Sequence, residues 1–184
     1  MIPSYIKDWL TIIEQMNNDN TYKEELWNWE NIITMLTLEE MIKLTIEFYN
    51  LLGIKISKED EMMAVQSLTM PEYAKEYNDK HNEKIKDHRA LSIVGDAICG
   101  AYIMLKEYNI DITSEELTDK KKIVTNEHLN IIGKNLLSNK LFAINNDLKE
   151  DYNKSYATAF EAVTGFIGII NKNKVDEILN KYLI

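Results

Sequence analysis

The sequence predicts an all-α domain, and three observations lead there. Gly and Pro are scarce, six and two in 184 residues, which leaves few of the turn signals a multi-stranded β fold needs. Apolar residues recur at spacings of three and four, the period of a helix face. No segment shows a convincing strand pattern, and neither an internal repeat nor a low-complexity linker interrupts the chain. Hydrophobic residues make up 45%, enough for a buried core in one domain of this length.

Each element follows from its own signals, and together they predict seven to nine helices. Ile6, Trp9, Leu10, Ile13 and Met16 mark a helix over 3–17, which Asn17 to Asn20 break. Leu26, Trp29, Ile33 and Leu36 mark a second over 22–36. Thr37 followed by Glu40 has the form of a capping box, placing a third helix from 38 to about 52 with its stop at Gly53. Ser57 and Asp60 start a fourth over 58–68, and Pro71 is read as ending it. Residues 77–84 are almost wholly polar and read as a loop or a solvated helix end. A long helix spans 85–108, with Leu91, Val94, Ala97, Ile98, Ala101, Tyr102 and Leu105 on one side. Thr125 starts a short helix through Leu129, Ile132 and Leu136, and helices over 152–170 and 173–183 close the chain.

Composition narrows the function. The formal charge of −9 argues against broad, non-specific nucleic-acid binding, because phosphate contacts are electrostatic. It leaves room for a nuclease, since carboxylates that hold a metal add negative charge locally. Cys99, the lone cysteine, excludes an intramolecular disulfide and a multi-cysteine zinc site, and its apolar setting reads as a buried inert thiol. Lys7 and Asp8 precede any apolar run of useful length, and no stretch approaches the roughly 18 apolar residues of a membrane span. A cytoplasmic, reducing compartment is expected.

Two segments carry the chemistry. In Arg89-Ala-Leu-Ser-Ile-Val-Gly-Asp96-Ala-Ile an aspartate follows a glycine inside an apolar helix. Such a carboxylate costs several kcal/mol unless it is paired or metal-bound. Helix-interior Gly95 costs about 1 kcal/mol relative to Ala, so something is expected to pack closely there. Tyr156-Ala-Thr-Ala-Phe-Glu161-Ala-Val-Thr-Gly165 repeats the grammar: one acid, small residues and a glycine four positions on. Small residues at helical spacing would let these helices approach and bring Asp96 to Glu161. Two facing carboxylates repel unless a cation neutralises them, and hard oxygen ligands select Mg²⁺ or Mn²⁺. A buried acid satisfied by a hydroxyl is the competing reading of the pair.

Further residues extend the pattern in order: Leu52-Gly53-Ile54, then Ala64 through Met70-Pro71-Glu72-Tyr73 to Glu76, then His88 to Ala97, Thr125-Asn-Glu-His-Leu, Ile132-Gly-Lys-Asn-Leu-Leu and Ala159-Phe-Glu-Ala. Over residues 46 to 183 this ordered set resembles the ribonuclease III domain family. Ala90-Leu-Ser-Ile-Val-Gly-Asp-Ala97 and Ala157-Thr-Ala-Phe-Glu-Ala162 are similar to the Mini-ribonuclease III branch, which lacks a double-stranded-RNA-binding domain. The resemblance divides the chain into an N-terminal helical extension, 1–45, and a ribonuclease III-like domain, 46–184. Met70 and Glu72 depart from a typical Thr-His-Pro-Ser-Tyr stretch, and Ser92 and Thr158 stand where two of the family's four metal-site acids fall.

The resemblance implies metal-assisted hydrolysis of phosphodiester bonds in double-stranded or structured RNA. Asp96 and Glu161 would hold Mg²⁺ (Mn²⁺ in its place) with water ligands, and Ser92 and Thr158 would hydrogen-bond those waters. It also implies a homodimer through the 85–108 helix, with an isologous interface. His88 is weighed as an RNA contact against a solvated helix start. Lys120, Lys121 and Lys122, flanked by Glu115, Glu116 and Asp119, are weighed as a phosphate-contacting run against a solvated loop. Trp9, Trp27 and Trp29, with Tyr5 and Tyr22, either pack on the main domain or dock a protein partner. Two alternatives to an active nuclease stay open: a catalytically degenerate ribonuclease III domain organising a ribonucleoprotein, and an all-α interaction module.

Overall fold

The structure, a computed structural model, describes residues 35–144, 147 and 154–183. The helix expected over 3–17, the tryptophans and all but the last two residues of the 22–36 helix lie outside the described residues. Residues 35 and 36 are not helical. A compact unit spans Leu38–Ile184, separate from Met1–Thr37. Its first helix, Leu38–Leu51, runs across the division at 45/46 read from the resemblance.

Eight α-helices make up the described part of this unit: α1 Leu38–Leu51, α2 Glu61–Leu68, α3 Pro71–Lys80, α4 Arg89–Glu107, α5 Ser114–Lys121, α6 Asn126–Leu137, α7 Ser155–Ile170 and α8 Lys172–Tyr182. A short 3₁₀ turn at Lys122–Val124 joins α5 to α6. Among the described residues there is no strand, only a single parallel bridge between Thr69 and Phe142. No helix there is long and apolar enough to cross a membrane.

Helix ends follow local chemistry. Gly53, at φ +73°, closes α1: its N–H reaches the Asn50 carbonyl at 3.0 Å and the Ile54 N–H reaches Tyr49 at 2.9 Å. That pair of bonds needs a residue at ease in the left-handed region. The Thr125 hydroxyl caps α6, as expected from the sequence. Two helices depart from expectation. α2 does stop at Leu68, before Pro71, but Pro71 also opens α3 at its first turn, where a missing N–H costs nothing. The buried carboxylate of Asp147 accepts from the Glu72 and Tyr73 N–H groups at 3.1 and 3.2 Å, while Tyr73, Ala74 and Tyr77 bury the inner face. The Lys120–Lys122 run is likewise not a loop. It ends α5 and enters the 3₁₀ turn, downstream of a Thr113–Glu116 capping box.

α7 is the axis of the unit and packs against α2, α4, α6 and α8. Twelve of its residues, from Ser155 to Gly168, are buried, including Phe160, Phe166 and Ile167. Its contact with α4 is set by glycine. A Cβ on Gly95 would lie 1.7 Å from the Glu161 carbonyl oxygen, and one on Gly165 would lie 2.2 Å from that of Leu91. The inward stripe of α4 is therefore Leu91, Ser92, Gly95, Cys99, Gly100 and Ile103. The bulkier row expected to share one side mostly faces outward. Val94, Ala97, Ala101 and Leu105 are exposed, with Ile93 and Met104 beside them.

Gly95→Ala should force the two backbones apart and cost about 3 kcal/mol or more in urea denaturation, above the usual range for an overpacked core. Gly53→Ala, strained only by its φ, should cost about 1 kcal/mol. Equal losses for the two would refute the close crossing.

Candidate functional site

The crossing at Gly95 fixes the two acids. Asp96 follows Gly95 on α4, and Gly95 lies against the backbone of Glu161 on α7. Glu161 is only 7% exposed, whereas Asp96 is exposed. Among the described residues neither carboxylate forms an ion pair. No hydroxyl there bonds to Glu161 either, so the expected alternative of a hydroxyl-satisfied acid finds no partner among them. Burial, and then the charge of Asp96, push the Glu161 carboxyl up to about 7. A buried carboxyl with one charged neighbour and no compensating donor behaves this way.

The pair suits a hard divalent cation. Mg²⁺ commonly takes one or two protein carboxylates and completes its octahedron with water. Asp96 supplies a solvent-facing oxygen donor and Glu161 an inner one. No group of three or more Asp, Glu, His or Cys side chains gathers among the described residues, so any such ion would rely on water for its remaining ligands. Cys99 is close enough for the charges of Glu161 and Asp96 to act on it. Burial first, and those charges second, push its thiol up to about 12. It is a neutral, inert neighbour and offers no thiolate ligand at ordinary pH.

Ser92 on α4 and Thr158 on α7 both have their hydroxyls already engaged. Ser92 Oγ donates to the Arg89 carbonyl at 2.9 Å. Thr158 Oγ1 lies 3.1 Å from the carbonyls of Lys154 and Ser155 and 3.2 Å from His88 Nε2. What remains on each for a metal-bound water is an oxygen lone pair.

His88 is neither a solvated helix start nor placed to meet RNA, because its side chain is 2% exposed. Its Nδ1 lies 3.0 Å from the Thr69 carbonyl, which fixes that nitrogen as the donor. Burial holds its pKa below the usual histidine range, so the neutral ring presents Nε2 as an acceptor for the Thr158 hydroxyl. The imidazole thus ties the start of α4 to α7 one turn from Glu161. The only signal for this role in the sequence is a histidine directly before the Arg89-Ala-Leu motif. Of the lysine run, Lys120 pairs with Glu107 at 3.2 Å and Lys122 with Asp119 at 2.5 Å.

Glu161 binds its proton more tightly folded than unfolded, so between about pH 4.5 and 7 the native state holds the extra proton. Stability should therefore fall as pH rises through that window. Glu161→Gln should remove this part of the slope, and urea midpoints at about pH 5 and pH 8 would show it. A wild-type midpoint whose pH dependence the variant leaves unchanged would contradict the assignment. Among known proteins, no family model and no curated protein matches this chain.

Proposed function

We propose that the protein is a metal-dependent endoribonuclease that hydrolyses phosphodiester bonds in double-stranded or structured RNA, as a homodimer of the ribonuclease III type. The observation that carries this reading is the buried, unpaired Glu161 held beside Asp96 at the Gly95 crossing. An acid kept there at a cost in stability is what a functional site looks like. The ordered motifs of residues 46–183 support the family, and the outward apolar row of α4 supports pairing through that helix. Ile93 is 74% and Leu105 81% exposed there, an area suited to an isologous partner.

Asp96 and Glu161 would hold Mg²⁺, or Mn²⁺ in its place. When bound, the ion supplies the positive charge that activates a water for in-line attack and stabilises the departing 3′ oxygen. The chain's own part is to present two oxygens in fixed positions. Glu161 must give up its proton before it can act as a ligand. The His88–Thr158 contact keeps α4 and α7 in register around the pair. Ser92 can accept a hydrogen bond from a water in the site, since its own proton goes to Arg89.

A second reading has a specific observation behind it. The Thr158 hydroxyl, standing where a carboxylate is expected, already contacts His88 and two backbone carbonyls. That favours a domain that has lost cleavage and organises RNA with other proteins.

Cleavage of labelled duplex RNA separates the two. The nuclease reading expects Mg²⁺-dependent cutting, lost in EDTA and reduced at least about 100-fold by Asp96→Asn or Glu161→Gln, roughly 2.7 kcal/mol of barrier. The Mg²⁺ requirement should ease about tenfold per pH unit as pH rises towards 7, because the metal displaces the Glu161 proton. Folded, dimeric protein that cuts nothing at any metal concentration would leave the organising role.

A further inference from the structure

Two lysines of the run that stands out in the sequence are paired nearby, Lys120 with Glu107 and Lys122 with Asp119, but a different cationic surface stands where α4 begins. Lys75 on α3, Lys86 in the 81–88 connection and Arg89 at the start of α4 line a cleft of about 570 Å³. Lys75 and Lys86 are exposed and in no ion pair among the described residues. Of the two acids in the lining, Asp87 is committed to Arg89, accepting from its Nε at 2.9 Å, its Nη2 at 2.7 Å and its backbone N–H at 3.0 Å. Glu72 is the other.

The cleft wall is held in place. The Asn78 amide grips Ile85 at both backbone groups, donating to its carbonyl at 2.9 Å and accepting from its N–H at 2.8 Å. The Gln66 amide donates to the Asp87 carbonyl at 3.0 Å, and the His88 N–H reaches the Thr69 carbonyl at 3.0 Å. A connection fixed at three successive points presents Lys86 and Arg89 from a defined backbone. Arg89 and Asp96 lie seven residues apart on α4, two turns or about 10 Å along one face.

From this arrangement we propose that the cleft is a phosphate-contact subsite for one strand of RNA, leading along α4 towards Asp96 and Glu161. Lys75 and Lys86 meet the non-bridging phosphate oxygens, and Arg89, held by Asp87, forms the edge nearest the acids. The choice of RNA rests on the ribonuclease reading; the cationic lining and the fixed wall do not. A chain of net charge −9 can still hold a polyanion this way, because Lys75, Lys86 and Arg89 gather three cationic side chains in one groove.

Fluorescence anisotropy with a labelled RNA duplex tests it on the full chain, in EDTA so that cleavage plays no part. Wild type is compared with Lys75→Ala/Lys86→Ala and with Lys43→Ala/Lys55→Ala, which removes the same charge outside the cleft. Thermal melts check that both double variants fold. The cleft variant should bind about tenfold more weakly, and its log–log salt slope between about 50 and 200 mM should be shallower by roughly 1.8, two phosphate contacts' worth. The control should lose under about threefold. Equal binding by the two double variants, or wild type without salt-dependent duplex binding, overturns the subsite. RNA bound through the cleft but never cut would sink the nuclease and keep the subsite. Cutting with equal binding by both double variants would do the reverse.

Discussion

The packing of α4 on α7 at glycine is the constraint on which the rest of the molecule depends. With Gly95 against the Glu161 carbonyl and Gly165 against Leu91, the two backbones touch without side chains between them. Close-packed interiors rarely leave room for such an approach unless both partners are small. Gly133 allows a similar approach on the other flank, where a Cβ would lie 2.1 Å from the Tyr156 carbonyl oxygen. α7 is thereby enclosed on two flanks, and its one acid, Glu161, is buried.

That enclosure sets the electrostatics. A glutamate at the protein surface would ionise near its ordinary value. Glu161, buried and beside a second carboxylate, is held up to about 7 and is balanced between two protonation states at neutral pH. Burial keeps the Cys99 thiol protonated, so it offers no thiolate to a cation, and it keeps His88 neutral, with both ring nitrogens engaged by the Thr69 carbonyl and the Thr158 hydroxyl. His88 instead works mechanically, joining Thr69, before α3, to Thr158 on α7. The site is thus a carboxylate pair framed by neutral hydrogen bonds, and the cationic groups nearest along α4 stand at its start, in the cleft of Lys75, Lys86 and Arg89.

Much of this was legible in the residues. The Gly95-Asp96 and Glu161…Gly165 patterns announced a close helix pair carrying two acids, and Thr125 and Gly53 announced helix ends that the structure shows. What escaped had non-local or unusual causes. α3 is capped by Asp147, more than seventy residues away, so no local signal after Pro71 revealed it. α5 carries a capping box but buries no side chain, and apolar period has nothing to detect in such a helix. On α4 the larger aliphatics marked out one side, yet the contact with α7 selects the small-residue stripe and turns Val94 and Leu105 outward. His88 looked like a surface position because its partners, Thr69 and Thr158, are distant in the chain.

The central claim is that Asp96 and Glu161 together hold one divalent cation. Isothermal titration of Mg²⁺ into the full chain, near pH 8 and again near pH 6 in two buffers of different ionisation enthalpy, tests it most directly. The account predicts one site per chain, weaker binding and proton release at the lower pH, and no binding in Asp96→Asn/Glu161→Gln. Binding that survives in the double variant, or that shows no linkage to a proton, would contradict it.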